Sequence, residues 1–315
     1  MHDPRLTLRV TAVFWETETV KRFELRPLDG TPLPPFTAGA HLGVELGPNL
    51  FRSYSLMNSP RERHRYEIGV SLDRNSQGGS RYCHERLRPG DLLTLSPPRN
   101  TFPLAASEAP ALLIGGGIGV TPLISMAHAL SEAKKPFRLV HAVRSRAEAP
   151  FSEILAELGE TVTLHVDEEC GGVLPLANFL ATAASGSHLY CCGPQPMLDA
   201  FIAATADRPT NTVHTESFAL PETASPGAGF TVELARSGRT VAVAPDQSIL
   251  AALQAAGVPT TSSCRQGICG LCETVIVTGE AEHRDSLLTP DEQAANRTMM
   301  ICCSRSRSDH LVLDL

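Results

Sequence analysis

Cys264, Cys269 and Cys272 fall within one loop, "SCRQGICGLCET", with the spacing C-x4-C-x2-C, and Cys302 stands further downstream. Few features constrain a fold more tightly. If these thiolates hold a metal cluster, one wrapped loop and one distant strand end must converge within a few ångströms. Gly267 and Gly270 allow the backbone to wrap closely, with N–H groups turned inward to hydrogen-bond sulfur. The spacing is that of a plant-type [2Fe–2S] cluster. Structural zinc is a competing reading, although it usually presents two C-x2-C knuckles and one is seen here. Ordinary buried cysteines are another, which hardly explain three of the nine cysteines in one loop. Cys303 competes with Cys302 as the fourth ligand. On a strand, neighbours face opposite sides, so only one of them points at the loop and the other points away.

With 315 residues, two or three domains are expected at roughly 100–200 residues each. A hydrophobic fraction of 42% and a charged fraction of 19% are those of a globular protein. The net charge of −7 argues against nucleic acid and for a basic protein surface as partner. "MHDPRLTLRVTAVFWE" has no apolar run after its basic start, so it reads as strand and not as a signal peptide. No run approaches the ~20 apolar residues needed to span a bilayer. A cytoplasmic protein without a membrane partner follows, in which clustered cysteines bind metal in preference to forming disulfides.

Three textures succeed one another. Residues 1–106 alternate short apolar-polar runs with Gly, Pro and Asn turns, and predict an antiparallel β-sandwich or β-barrel, of which the barrel is the expectation taken forward, with one short helix over Ser80–Leu87. Residues 107–218 alternate strands ("ALLIG", 137–144, 161–167, "HLYCCG", "VHTESF") with helices, and predict a doubly wound α/β domain. Thr121 is placed to cap the first helix and Pro122 suits its first turn. "ALPETASPGAG", 219–229, reads as a linker. Residues 230–315 hold a hairpin turning at Ser237-Gly238, a helix ending on Gly257, the cysteine loop, a short helix capped by Thr289, and two last strands, giving an α+β domain.

Three further stretches carry chemistry. "FRSYSL" resembles the R-x-Y-S motif of the ferredoxin reductase superfamily, which implies that Tyr54 lies against a flavin ring, Ser55 hydrogen-bonds the ring edge, Arg52 supplies charge for a phosphate and Ser53 stands among the cofactor-binding residues. Alone, a strand tyrosine is usually core. Gly78, Gly79 and Ser80 stand at a helix start, where exposed N–H groups form an anion site or a plain turn. "LLIGGGIGVTP" is a strand, a glycine run (Gly115, Gly116, Gly117, Gly119) and a helix start. It matches neither G-x-G-x-x-G nor a Walker loop, but its glycines let a pyrophosphate approach the backbone. In "YCCGPQPM", Cys192, Gly193 and Pro194 lie at a strand's carboxyl end, where open α/β sheets bind ligands.

"SCRQGICGLCET", "HRD" (283–285), "ICCSR" and "LVLDL" resemble the β-grasp ferredoxin domain of the phthalate dioxygenase reductase family, the reductases of Rieske oxygenase systems. The resemblance runs along the whole chain. "RSYS", "GGxGxTP" and "CGP" are similar to motifs of the wider ferredoxin reductase superfamily. The resemblance implies Cys264, Cys269, Cys272 and Cys302 as cluster ligands. It places Gly78–Ser80 and Arg52 at the phosphate of FMN, with FAD as the alternative used elsewhere in the superfamily. It sets Gly115–Gly119, Thr121, Pro122, Gly193 and Pro194 at NADH, Cys192 near the reacting nicotinamide carbon, and Phe218 over the flavin face. NADH is implied over NADPH, although "VRSRAEAPF" offers Arg144 and Arg146 to a 2′-phosphate and no acidic residue to a ribose. The expected activity passes electrons from NADH through FMN and [2Fe–2S] to a Rieske-type oxygenase of aromatic catabolism or O-demethylation. A redox-sensing binding module and a stand-alone flavoenzyme are the rivals. His283 and His310 read as surface residues.

Overall fold

The computed structural model describes residues 5–47, 50–73, 78–218, 228–262, 267, 270–285 and 287–315. Cys264, Cys269 and residues 219–227 of the proposed linker lie outside the described residues. The chain divides into two compact units, Met1–Leu46 with Tyr54–Ala219 and Gly47–Ser53 with Leu220–Leu315.

Strands β1 (Leu6–Thr17), β2 (Val20–Pro27), β3 (His41–Gly47), β4 (Leu50–Ser55), β5 (Tyr66–Ser71) and β6 (Leu92–Leu95) form a sheet in the order β4-β3-β6-β1-β2-β5. The pairings of β1 with β2 and β6, and of β2 with β5, are antiparallel. Just past β4, Leu56 bridges Ile68 of β5, and the Met57 N–H donates to the Glu67 carbonyl at 3.0 Å. That long-range pairing joins the two ends of the sheet and closes the barrel, so its edges are not left open. Helix α1 (Gly79–Glu85) follows β5.

The parallel sheet comprises β7 (Ala111–Gly116), β8 (Phe137–Val143), β9 (Val162–Val166), β10 (His188–Cys192) and β11 (Val213–Glu216), in the order β11-β10-β7-β8-β9. Its helices are α2 (Val120–Glu132), α3 (Ser152–Glu157), α4 (Asp167–Cys170), α5 (Leu176–Ala181) and α6 (Gln195–Ala204). Every residue of β7 is buried, as a strand covered on both faces must be. Successive residues go to opposite cores. Leu113 joins Leu123 and Ile124 of α2, whereas Leu112 and Ile114 join Leu180 of α5 and Phe201 of α6. The α2 face also includes Met57 and Phe102, so barrel and parallel sheet share one core. Ser125 Oγ donates to the Asn58 carbonyl at 3.0 Å, and Ser59 Oγ to Glu132 at 2.6 Å, across the same boundary.

Two local expectations are corrected here. Thr121 does not cap α2: a 3₁₀ turn over Gly117–Gly119 runs directly into the helix, Gly119 is the cap, and Thr121 Oγ1 donates backward to the Ile118 carbonyl at 2.9 Å. The last parallel strand ends at Glu216, leaving Phe218 beyond it.

In the second unit, β12 (Phe230–Leu234), β13 (Thr240–Val243), α7 (Ile249–Ala255), β14 (Glu273–Thr278), β15 (Ala281–Glu282), α8 (Pro290–Ala295), β16 (Thr298–Met300), β17 (Arg305–Ser306) and β18 (His310–Leu313) follow in sequence. The sheet order is β13-β12-β18-β14-β16, with β12 and β18 parallel, and β15 pairs β17 separately. Phe230, Val232 and Leu234 alternate inward and pack with Leu311, Leu313 and the Ile249, Leu250 and Leu253 face of α7. A helix laid across a mixed sheet is the β-grasp arrangement. No helix among the described residues is long and apolar enough to cross a membrane.

Candidate functional site

In chain order the parallel strands run 5-4-1-2-3, so the order reverses between β7 and β10. Ligands bind at the carboxyl ends of strands at such a switch point. The glycine run and the Cys-Gly-Pro turn meet there. A Cβ on Gly119 would collide with the Cys192 carbonyl oxygen, and one on Gly116 would lie 2.8 Å from Pro194 Cδ. The two motifs therefore require each other: glycine at 116 and 119 lets the β7 turn pass over the end of β10. Gly117 has φ +53° with open space where a side chain would be.

Cys192 is fully buried, and burial, reinforced by Glu216 and Cys191, raises its thiol well above the ordinary value. It is a neutral, shape-defining group. Glu216 is its register partner on β11. Burial pushes the Glu216 carboxyl up to about 8, and its enclosed Oε2 has no hydrogen-bond partner among the described residues. Phe218, two residues on, is 47% exposed. Under the glycine turn, buried His141 lies with Nε2 3.1 Å from the Gly117 carbonyl. Burial lowers this ring to about 4, so it is neutral, and a carbonyl partner requires Nε2 to carry the proton. Glu216 and His141 escaped the sequence reading. Nothing in a sequence marks a carboxyl or an imidazole that only tertiary packing encloses.

After the end of β8, Arg146 is exposed and paired. Its guanidinium forms two bonds, of 2.7 and 2.6 Å, with the Glu169 carboxylate of α4. The acidic turn Asp167-Glu168-Glu169 follows the adjacent strand β9.

On the barrel, Arg52, Ser53, Tyr54 and Ser55 follow one another along β4. Ser55 is buried, and Arg52 Nη1 donates to the Phe51 carbonyl at 2.7 Å. The Tyr54 hydroxyl lies 3.6 Å from Cys83 Sγ of α1. The strand thus touches the helix that opens at Gly78, Gly79 and Ser80. Gly78 has φ +103°, and Ser80 Oγ accepts the Asp73 N–H at 3.1 Å.

In the second unit, Cys272 and Cys302 are both buried. The Gly267 N–H donates to Cys302 Sγ at 3.2 Å, with Gly267 at φ +70°. A backbone donor aimed at a cysteine sulfur, in a loop of soft ligands, fits an iron–sulfur cluster. Cys303 does not point away from the loop, because the strand that would alternate the pair stops at Met300 and residues 301–303 form a turn. A Cβ on Gly267 would lie 2.5 Å from Cys303 Sγ, so both sulfurs face that glycine. His283 is likewise not at the surface: its side chain is 8% exposed, and its ring nitrogens have no hydrogen-bond partner among the described residues. His310 is half exposed and lies 3.3 Å from Glu233.

The comparisons agree with this geometry. Residues 113–202 match the oxidoreductase NAD-binding domain family, and residues 232–307 the 2Fe-2S iron-sulfur cluster binding domain family. The chain is 46% identical over 310 residues to phenoxybenzoate dioxygenase subunit beta of Ectopseudomonas oleovorans, covering 98% of this chain and 97% of that one. It superposes on an intact type IV self-sufficient cytochrome P450 monooxygenase with a TM-score of 0.87 and 38% identity, over 99% of this chain and 41% of that one. It also superposes on phthalate dioxygenase reductase, described as a modular structure for electron transfer from pyridine nucleotides to [2Fe-2S]. There the TM-score is 0.72 at 38% identity, with 99% of this chain and 98% of that one covered. A glycine turn crossing a strand end in one unit and a sulfur-directed loop in the other are what such a reductase needs, and the chain belongs to the phthalate dioxygenase reductase family.

Proposed function

We propose that this chain is the NADH-dependent reductase component of a Rieske-type oxygenase system, with FMN as its flavin. The observation that carries the reading is the Gly267 N–H donating to Cys302 Sγ, in the same chain as the β7–β10 crevice. When bound, nicotinamide supplies a hydride, flavin divides the pair, and the cluster carries electrons singly. The chain's own residues bind and orient. Gly116, Gly117 and Gly119 bring backbone to a pyrophosphate, with Gly115, Thr121 and Pro122 forming the turn and helix start behind them. Cys192, Gly193 and Pro194 shape the nicotinamide end. Glu216 keeps its proton at neutral pH and offers an O–H where Cys192 ends the sheet. Phe218 covers the flavin face. Arg52 to Ser55 and Gly78 to Ser80 hold FMN, whose single terminal phosphate suits one arginine and one glycine turn. Cys264, Cys269, Cys272 and Cys302 hold the cluster.

The domains run 1–106 for flavin, 107–218 for nicotinamide and 230–315 for the cluster, with 219–229 as linker. The Arg146–Glu169 pair favours NADH by engaging one of the two arginines, Arg144 and Arg146, that a 2′-phosphate would use. A cytoplasmic setting suits a protein whose cysteines serve a cluster. The test is reconstitution of the purified holoprotein with Rieske oxygenase components and, separately, with a cytochrome P450. NADH-driven product from a Rieske component, with FMN as the extracted flavin, is expected. Coupling only to the P450, or FAD as the extracted flavin, would contradict the corresponding part.

A further inference from the structure

The "HRD" segment places a carboxylate, Asp285, beside the cluster loop without giving it a ligand's role. Its side chain is 0% exposed. Oδ2 accepts the backbone N–H groups of Leu287 at 3.3 Å and Leu288 at 2.8 Å, and Oδ1 accepts Ser304 Oγ at 3.2 Å. His283 Nδ1 lies 3.6 Å from Oδ1, outside hydrogen-bond reach. An enclosed carboxylate is costly unless it is hydrogen-bonded. Here the donors among the described residues are all neutral, so its charge is held in place without being cancelled by a bonded cation.

The same residue packs against Gly267. A Cβ on Gly267 would come within 2.9 Å of both Cα and Cβ of Asp285. Gly267 is the residue whose N–H donates to Cys302 Sγ at 3.2 Å. Ser304, the hydroxyl donor to Asp285, is two residues beyond Cys302 and also accepts the Arg284 N–H at 3.1 Å. Asp285 therefore packs against the donor residue Gly267 and accepts a hydrogen bond from Ser304 in the chain that follows Cys302.

We propose that Asp285 is a positioning residue for the iron–sulfur centre: it fixes the Gly267 N–H on Cys302 Sγ, and its enclosed negative charge holds the cluster's reduction potential low. This rests on reading Cys302 as a cluster ligand. Buried charges are screened less by water or salt than exposed ones. Adding an electron to a centre beside a fixed anion is disfavoured.

The experiment uses the full-length holoprotein. Iron and acid-labile sulfide are counted, the EPR spectrum of the dithionite-reduced protein is recorded, and the cluster's midpoint potential is measured by EPR-monitored titration. D285N keeps the shape and loses the charge. It should retain the cluster, change the EPR signature and shift the midpoint potential positive, with the flavin potential unmoved. A D285N protein with full cluster content and the parent's potential and EPR spectrum would overturn the proposal. If D285N assembles no cluster, S304A carries the test. It leaves the carboxylate and withdraws a donor that partly neutralises it, so the potential should shift negative. An unchanged or positive shift there would overturn the proposal. A parent protein lacking two irons and two sulfides would instead overturn the reading of the loop, and the proposal with it.

Discussion

At Glu216 a carboxyl sits where burial holds it at about 8, against 4.5 when unfolded. Between those values the folded chain keeps a proton that the unfolded chain has released. Stability is therefore lost as pH rises from about 5 to 8, and the loss is complete above that window. Glu216→Gln carries no such proton. Relative to the parent, it should gain stability across the same window, on the order of a few kcal/mol at the upper end. Melting temperatures of both proteins at pH 5 and pH 8 check this, and parallel curves would show that the carboxyl titrates normally. Residues of this kind mark where sequence reading stops. The cysteine spacing, "RSYS" and "CGP" are legible because their chemistry lies in side chains close together in the chain. Glu216, His141, His283 and Asp285 acquire their character from what encloses them. Cys303 was misplaced for a local reason, since alternation along a strand does not extend past Met300, where β16 ends.

The elements themselves were largely legible. The unbroken apolar run of β7 and the strict alternation of β12 announce a doubly covered strand and a one-sided one. Thr289 caps α8 as expected, with Pro290 in the first turn, and Glu292 completes a capping box that the sequence reading did not include. What stayed hidden depends on distant partners or on very short elements. The Leu56–Ile68 bridge that closes the barrel and the parallel β12–β18 pairing leave no local trace. Helix α4, "DEEC", is too short to show an apolar face. The glycine crossing of β7 over β10 yields a prediction at this scale. Gly119→Ala places a methyl group against the Cys192 carbonyl. Overpacking at such a contact costs about 1–3 kcal/mol, or displaces the β7 turn from β10. The variant should melt lower and bind NADH more weakly, while the visible spectrum of its cluster is unchanged. Thermal denaturation and NADH titration check it, and parental values for both would show that the crossing tolerates a side chain.

At the scale of the molecule, the core clusters follow the order of the chain. Among the described residues, one core cluster comprises residues from Phe230 onward, and two others comprise residues before the 219–229 segment. A protein ending near Ala219 should therefore fold, bind flavin and reduce ferricyanide with NADH at close to the parental rate. It should fail to drive an oxygenase, because the one-electron outlet is missing. Paired assays of ferricyanide turnover and oxygenase product check this, and product formation at the parental rate would show that electrons bypass the cluster. The order of events in the intact holoprotein tests the account most directly. Mixed with NADH under anaerobic conditions and sampled by stopped-flow absorbance and freeze-quench EPR, it should lose flavin absorbance first. The signal of the reduced [2Fe–2S] cluster should then rise at a slower rate. A cluster that is reduced before the flavin, or that stays oxidised while the flavin is fully reduced, would contradict the path from nicotinamide through flavin to iron and sulfur.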